Sequence, residues 1–515
     1  MSAQITEQKY KSRRIASNSL LLFVRMLAIM AINLYAVRLL LRALGQDDYG
    51  TFNAVAGVVL AGSFITTTLA VSIQRYYSYA LGEGRKDQLA QIFSASVNII
   101  LALTIVALLL FETLGLWFVN TGLPIPSDRV VAANWVFQFS VFTLCAGFLQ
   151  LPYTAAIFAH EEMGLFALIS LAECLLRLVV VLLIGTGGID GLVFYGAGLF
   201  AVSLVVFSAY VFFVRRRYAV YHYHRRVDRS IYKSLLSFSG WIMYSAIAGI
   251  GLTQGITILL YMFFGPVITA AYAISMQVLH AFQSVGNSIV VAFRPAMVKS
   301  YAEKNYAFLD QMFAANNKLI LYVMAVVAIP LIFELRTIFG WWLGDVSEES
   351  VTFTRLIIVY VVCLHMHNPI TTIVQSTGRV KYYSLFVESV MLACVPATWV
   401  AFRLGASSEM GVVLMIAVCL LAHAVRLLIL RRLYPPFRLS SYLRDVVLRG
   451  ILVLSCCAVL VGLVHSSMDP GLVRLMAVTL TSVFSMVLAV YFLGLSKDEQ
   501  QKLRHFVMKR LKFRE

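Results

Sequence analysis

Long apolar runs alternate with short polar joints along almost the whole chain. Fourteen runs occupy roughly residues 18–41, 51–74, 90–116, 131–155, 163–184, 192–214, 236–262, 267–292, 314–338, 353–376, 383–402, 411–430, 449–465 and 472–494. Most are about 20 residues long, the length an α-helix needs to cross a hydrocarbon core of ~30 Å. Lipid offers no partner for backbone N–H and C=O groups, so spans of this length must close their hydrogen bonds internally, as helices. The expected fold is an all-α polytopic membrane protein with about 14 transmembrane helices.

The runs repeat. Gly45–Leu101 can be laid on Gly265–Leu321, bringing Phe52 near Tyr272, Arg75 near Arg294 and Asn98 near Asn317 at an offset of about 220. Pro152 and Thr154 of the fourth span fall on Pro369 and Thr371 of the tenth at almost the same offset. A repeat of six helices is even, so the second copy enters the membrane in the orientation of the first. Two parallel six-helix lobes around a central cavity are expected, an architecture of transporters. The expected boundaries are an N-lobe at 1–214, a basic cytoplasmic linker at 215–235, a C-lobe at 236–432, and an appended hairpin of spans 13 and 14 with a basic tail at 433–515. Pro152 and Pro369 read as mid-helix prolines that break the ladder and permit bending.

Charge sets the orientation. Basic residues crowd the N-terminus (Lys9, Lys11, Arg13, Arg14), the sixth connection (Arg215, Arg216, Arg217, Arg225, Arg226, Arg229, Lys233), the twelfth (Arg431, Arg432, Arg438, Arg444) and the tail from Lys497 to Arg514. The odd-numbered connections hold little beyond Arg42, Arg129 and Arg403. By the positive-inside rule both termini are expected in the cytoplasm. The net charge of +17 could suggest nucleic acid, but it lies in juxtamembrane loops, where its ordinary role is topology and contact with anionic lipid headgroups. Hydrophobic residues make up 60 % and charged residues 13 %, against about 25 % in soluble domains, which leaves no room for a large soluble domain. The first span reads as an uncleaved anchor.

Catalysis and metal chemistry find no support. The chain has no GxxxxGK[ST] phosphate loop, no HExxH and no GxSxG, and no connection exceeds about 22 residues, so an enzyme is not expected. All seven cysteines fall inside spans without metal or redox spacing. The tract Tyr221-His222-Tyr223-His224 could bind metal, but a solvated interfacial loop is the preferred reading. No metal or cofactor is expected.

Polar groups at membrane depth are costly and therefore functional candidates. Arg25 lies about two turns into the first span, with Asn18 on nearly the same face; it snorkels to the cytoplasmic interface, forms a structural pair or lines a cavity, and the cavity is preferred because an unpaired guanidinium would otherwise face lipid. Glu173 and Arg177, four residues apart on the fifth span, form either a self-neutralised pair or part of a cavity. Gln277, His280, Gln283, Ser284 and Asn287 make a polar stripe on the eighth span, read as facing water rather than as interhelical glue. His365, His367, Asn368, Thr371, Thr372 and Gln375 add polarity to the tenth. Glu112, Lys318, Glu334, Arg336, Arg355 and Arg449 lie near span ends and read as interfacial, with Arg355 a candidate for the outer half of a cavity.

The fourteen-span pattern, the basic sixth connection and the segment Leu44-Gly45-Gln46-Asp47-Asp48-Tyr49-Gly50-Thr51-Phe52-Asn53 together resemble the polysaccharide flippases of the MOP superfamily. The likeness is to the Wzx-type transporters of O-antigen and capsule repeat units. It extends through Thr67-Thr68-Leu69, Gln74-Arg75-Tyr76-Tyr77, Leu81-Gly82-Glu83-Gly84 and the turn Ala159-His160-Glu161-Glu162-Met163, and covers essentially the whole chain. The resemblance implies a bacterial inner-membrane flippase carrying an undecaprenyl-diphosphate-linked oligosaccharide from the cytoplasmic to the periplasmic leaflet by alternating access, without a cofactor. An arginine in the first span of a cationic cavity recurs in that family, which assigns Arg25, and more weakly Arg177, to the diphosphate. Arg75 and Arg294 would gather the headgroup at the cytoplasmic mouth. Asn18, Gln277, His280, Gln283, Asn287 and His367 would line the cavity, with Glu173, His280 or His367 as carriers of any coupled proton. The expected partners are the lipid-linked oligosaccharide, membrane lipids, a polysaccharide polymerase and glycosyltransferases, with the transporter itself a monomer. The rival readings are a MATE-type multidrug exporter, whose cavity should be acidic, and a non-transporting scaffold, which needs no polar cavity.

Overall fold

The structure is a computed structural model. It describes the backbone of residues 2–501 apart from 83, 161, 187, 225–226, 345–346, 378 and 498, and side chains from residue 25 onward apart from these positions and 67, 71, 82, 86, 237–242, 291–292, 295, 302 and 380. Every regular element among the described residues is helical. In chain order these are α1 (Ser2–Leu60), α2 (Phe64–Gly82), α3 (Lys86–Leu110), α4 (Leu116–Gly122), α5 (Val130–Ala159), α6 (Met163–Leu182), α7 (Gly191–Arg217) and α8 (Arg229–Ala302). Then follow α9 (Tyr306–Trp342), α10 (Glu348–His365), α11 (Asn368–Ser376), α12 (Val380–Leu392), α13 (Cys394–Arg403), α14 (Met410–Leu433), α15 (Leu439–Tyr442), α16 (Arg449–Ser466) and α17 (Leu472–Ala489). Asp190 starts α7 by accepting from the Leu192 and Val193 amides at 2.9 and 3.2 Å, which satisfies two of the N–H groups a helix start leaves open.

Twelve helical runs among the described residues are long and apolar enough to cross a membrane. Two of them, Arg25–Leu81 and Met243–Val290, are 57 and 48 residues long. At 1.5 Å per residue the longer measures about 85 Å, far beyond one hydrocarbon thickness. Each is broken at one glycine: Gly45 (φ 78°, ψ 176°) and Gly265 (φ 82°, ψ −173°). A Cβ at either position would meet nothing within 4 Å, so the left-handed φ, not crowding, selects glycine there. The two breaks stand 220 residues apart, the offset at which the sequence repeats.

The residues after the first break explain the Leu44–Asn53 segment. Asp48 and Asp190 both pair with Arg129, the latter at 2.5 Å, so one guanidinium ties together three segments that are distant in sequence. Burial works to raise the Asp190 carboxyl, but the Val193 amide, the Arg129 guanidinium and the Leu192 amide outweigh it and hold it below the usual carboxylate range. Gly50 lies so close to Pro266 that a Cβ would come within 1.9 Å of the Pro266 carbonyl oxygen. Thr51 Oγ1 meets the Tyr261 hydroxyl at 3.2 Å.

The chain forms two compact units, residues 1–273 with 395–408, and residues 274–394 with 409–515. In the first, α5 touches α1, α2, α3, α6 and α7, and its buried face includes Val136, Phe137, Val141, Phe148 and Ala156. In the second, α9 packs against α10, α16 and α17, while α14 packs against α10, α11 and α12. Pro152 lies inside α5 as expected. Pro369 does not lie inside a helix: the tenth span splits into α10 and α11, and Pro369 occupies the first turn of α11, where its missing N–H costs nothing.

Two residues expected at interfaces are buried. Glu334 is fully buried, chelated by Arg474 at 2.7 and 3.0 Å and met by His465 Nδ1 at 2.8 Å and the Thr337 hydroxyl at 2.9 Å. Lys318 is buried as well and donates to both Glu499 oxygens at 3.0 and 2.7 Å, which pins the start of the C-terminal tail to α9. The Tyr221–His224 tract is not a freely solvated loop either. Tyr221 is buried against Tyr77, Phe93 and His160, and Tyr223 donates to Asn98 Oδ1 at 2.9 Å. Among the described residues no three His, Cys, Asp or Glu side chains are grouped to hold a metal.

Candidate functional site

In the first unit, α6 presents Phe166, Ser170, Glu173 and Arg177 at helical spacing, and α1 lies against it. Arg25 sits half-buried on this contact. Its Nε donates to Ser170 Oγ at 2.6 Å, and its guanidinium lies 4.5 Å from the centre of the Phe166 ring. A cation held by a neutral hydroxyl and an aromatic face keeps its charge uncancelled. Glu173 and Tyr210 are close enough to act on it electrostatically, but Glu173 makes its ion pair with Arg177, at 2.7 Å. Two turns along α1, Asn33 Oδ1 meets the Cys174 thiol at 3.5 Å, extending the polar seam. Asn18 belongs to α1, but its side chain lies outside the described residues.

Arg75, near the end of α2, and Arg294, on α8, are both exposed. In the second unit the α8 stripe keeps its sidedness. His280 and Asn287 are exposed and Gln277 and Gln283 half-buried, while Val278, Leu279, Phe282 and Val290 are buried. Within the stripe His280 Nδ1 meets Gln283 Oε1 at 3.4 Å, and the Ser284 hydroxyl turns back onto the His280 carbonyl at 3.0 Å. The helix therefore meets part of its polar demand by itself.

His367 stands at the start of α11. It is half-buried, its Nδ1 has no hydrogen-bond partner, and its electrostatic neighbours are Arg426, His423 and His365. His365 is buried, with a backbone bond from Nδ1 to the Val361 carbonyl at 2.9 Å and its ring against Gly286, where a Cβ would come within 2.1 Å of it. The sequence reading passed over Arg426. It is 3 % exposed on α14, with Nε donating to the Tyr383 hydroxyl at 3.1 Å. The signal that could have found it is the one that found Arg25, an ionisable residue inside an apolar run.

No family model and no curated protein matches the sequence. Solved structures do match the fold. An inward-facing multidrug resistance MATE family transporter of the MOP superfamily superposes with a TM-score of 0.65 and 13 % identity over 80 % of this chain and 99 % of that one. The lipid II flippase MurJ in an inward closed conformation gives 0.65 and 13 % over 92 % and 98 %. A MOP superfamily transporter from Pyrococcus furiosus, described as having a binding pocket of reverse polarity, gives 0.56 and 13 % over 81 % and 96 %. The chain has the fold of the MOP superfamily transporters.

Proposed function

We propose that this protein is a MOP superfamily flippase of the Wzx type, moving an undecaprenyl-diphosphate-linked oligosaccharide from the cytoplasmic to the periplasmic leaflet for surface polysaccharide synthesis. In this reading each broken helix crosses the membrane twice, so the chain crosses fourteen times, with both termini in the cytoplasm, and transport proceeds by alternating access. The observation that carries it is Arg25. Twenty residues, about 30 Å along a helix, separate it from the Gly45 break, so in this reading it stands in the cytoplasmic half of the first crossing. A guanidinium that meets Ser170 and Phe166 among the described residues, and no carboxylate there, retains a fork of donors matched to phosphate oxygens.

The polar stripe of α8 supplies amide, imidazole and hydroxyl groups suited to sugar hydroxyls, and exposed Arg75 and Arg294 would attract the headgroup. A diphosphate diester carries about two negative charges, and an inside-negative potential favours its outward passage by ~2.3 kcal/mol per charge per 100 mV. The polymerase and glycosyltransferases of the same polysaccharide are the natural partners. The MATE-like structures keep a drug exporter as the second reading. Against it, Glu173, the acid beside Arg25 among the described residues, is paired with Arg177, which favours an anion at Arg25.

Complementation of a flippase-deleted strain supplying the cognate glycan tests this at matched membrane levels of wild type, Arg25→Ala and Arg25→Lys. Surface polysaccharide restored by wild type and lost with Arg25→Ala is the expected result. Equal rescue by all three would discard Arg25 as the anchor. Failure of wild type with a matched glycan would put the drug exporter first.

A further inference from the structure

Three cations are buried among the described residues of the second unit: Lys318, Arg474 and Arg426. The first two have carboxylates, Glu499 and Glu334 respectively. Arg426, the most buried at 3 % exposure, makes no ion pair among the described residues. Its Nε reaches the Tyr383 hydroxyl, which is itself 2.7 Å from Thr371 Oγ1, while its Nη1 is buried with no acceptor. Glu388 acts on Tyr383 electrostatically but does not pair with the arginine. Around the guanidinium stand neutral or donating groups: His367 and His423, each with an unpartnered Nδ1, and Cys419. His423 Nε2 meets the Tyr442 hydroxyl at 3.1 Å.

An uncompensated buried guanidinium is strongly unfavourable, and the same unit meets its other buried guanidinium, Arg474, with the Glu334 carboxylate. We propose that Arg426 is the core of an anion site inside the second unit, and that its ligand is a phosphoryl oxyanion. The groups that converge there are donors or hydroxyls: the guanidinium fork, two imidazoles, and the Tyr383 and Thr371 hydroxyls. A tetrahedral oxyanion can take several such donors at once, and the planar fork fits two of its oxygens. The oxyanion can come from the diphosphate of a lipid-linked cargo or from free pyrophosphate in the cytoplasm; the site itself stands whether or not the flippase reading holds.

The test uses the full-length protein in phosphatidylcholine nanodiscs in gluconate buffer, with the melting temperature followed on titration with inorganic pyrophosphate, polyprenyl diphosphate or chloride. Pyrophosphate is expected to raise the wild-type midpoint saturably by roughly 2–4 °C. Arg426→Met should lose that response yet melt no lower than wild type in gluconate, because it removes an uncompensated charge and leaves Tyr383 bonded to Thr371. Arg426→Lys should keep a weaker response. A response to polyprenyl diphosphate alone supports the site and assigns it to cargo, and a response to both supports the shared chemistry. The proposal is overturned if no anion shifts wild type, if chloride acts as strongly as pyrophosphate, or if the response disappears in Arg25→Ala and survives in Arg426→Met.

Discussion

Removing the Glu334 carboxylate should be the most damaging single change to the stability of the second unit. The residue lies on α9, 140 positions from its main partner on α17, and is fully buried. Its two oxygens accept from Arg474, from His465 on α16 and from Thr337 one turn along. Glu334→Leu takes the acceptor from all three and strands the Arg474 guanidinium, which is 9 % exposed. Breaking a buried pair on one side costs about 3–5 kcal/mol, most of it the penalty of the orphaned charge. Replacing both partners by apolar side chains is often neutral, so Glu334→Leu combined with Arg474→Leu should recover most of the loss. The coupling between the two sites should then reach about 2–4 kcal/mol. Unfolding by SDS in mixed micelles, read on wild type, both single variants and the double, gives the four free energies needed. A Glu334→Leu protein within about 0.5 kcal/mol of wild type, or a double variant whose loss equals the sum of the singles, would refute the account, since distant independent sites add to within that margin.

Two further outcomes follow from backbone and surface. Gly45→Ala and Gly265→Ala should each cost about 1–3 kcal/mol in the same unfolding assay, purely through the forbidden backbone region, because a Cβ at either site touches nothing; an unchanged stability would mean that the break is not held at that glycine. The Asp190 carboxyl is held below its ordinary value, so the stability it lends is present above about pH 4 and is lost as pH falls through its folded value. With the side chain 35 % exposed, Asp190→Asn should lower stability at neutral pH by under about 1 kcal/mol and flatten the acid slope. A variant whose acid slope matches wild type would remove Asp190 from the explanation.

The helical fold was legible because lipid leaves the backbone one solution, and mean hydropathy reports it over windows longer than any local ambiguity. The offset of the sequence repeat has one conformational mark: Gly45 and Gly265 begin the aligned segments and carry the same left-handed break. Side-chain pairing was not legible. Glu334, Arg474 and Lys318 each sit close enough to a span end to pass for interfacial, and only tertiary contacts 140 and 181 residues apart show that they are buried. Tyr221 looked solvated because its neighbours His222 and His224 are, whereas its ring packs on Tyr77 and Phe93 from other helices.

Arg25 and Arg426 mark the limit most clearly. Both are single arginines in apolar runs, one found and one passed over by the same rule. The sequence shows neither Ser170 beside the first nor Tyr383 beside the second, 145 and 43 residues away. What the two have in common is visible only in three dimensions. Each is held through Nε by a hydroxyl rather than by a carboxylate, so each keeps its charge, whereas Arg129, Arg177 and Arg474 spend theirs on acids. Among the described residues carboxylates meet Arg129, Arg177 and Arg474, while hydroxyls meet Arg25 and Arg426, the two to which the proposals above assign an anion.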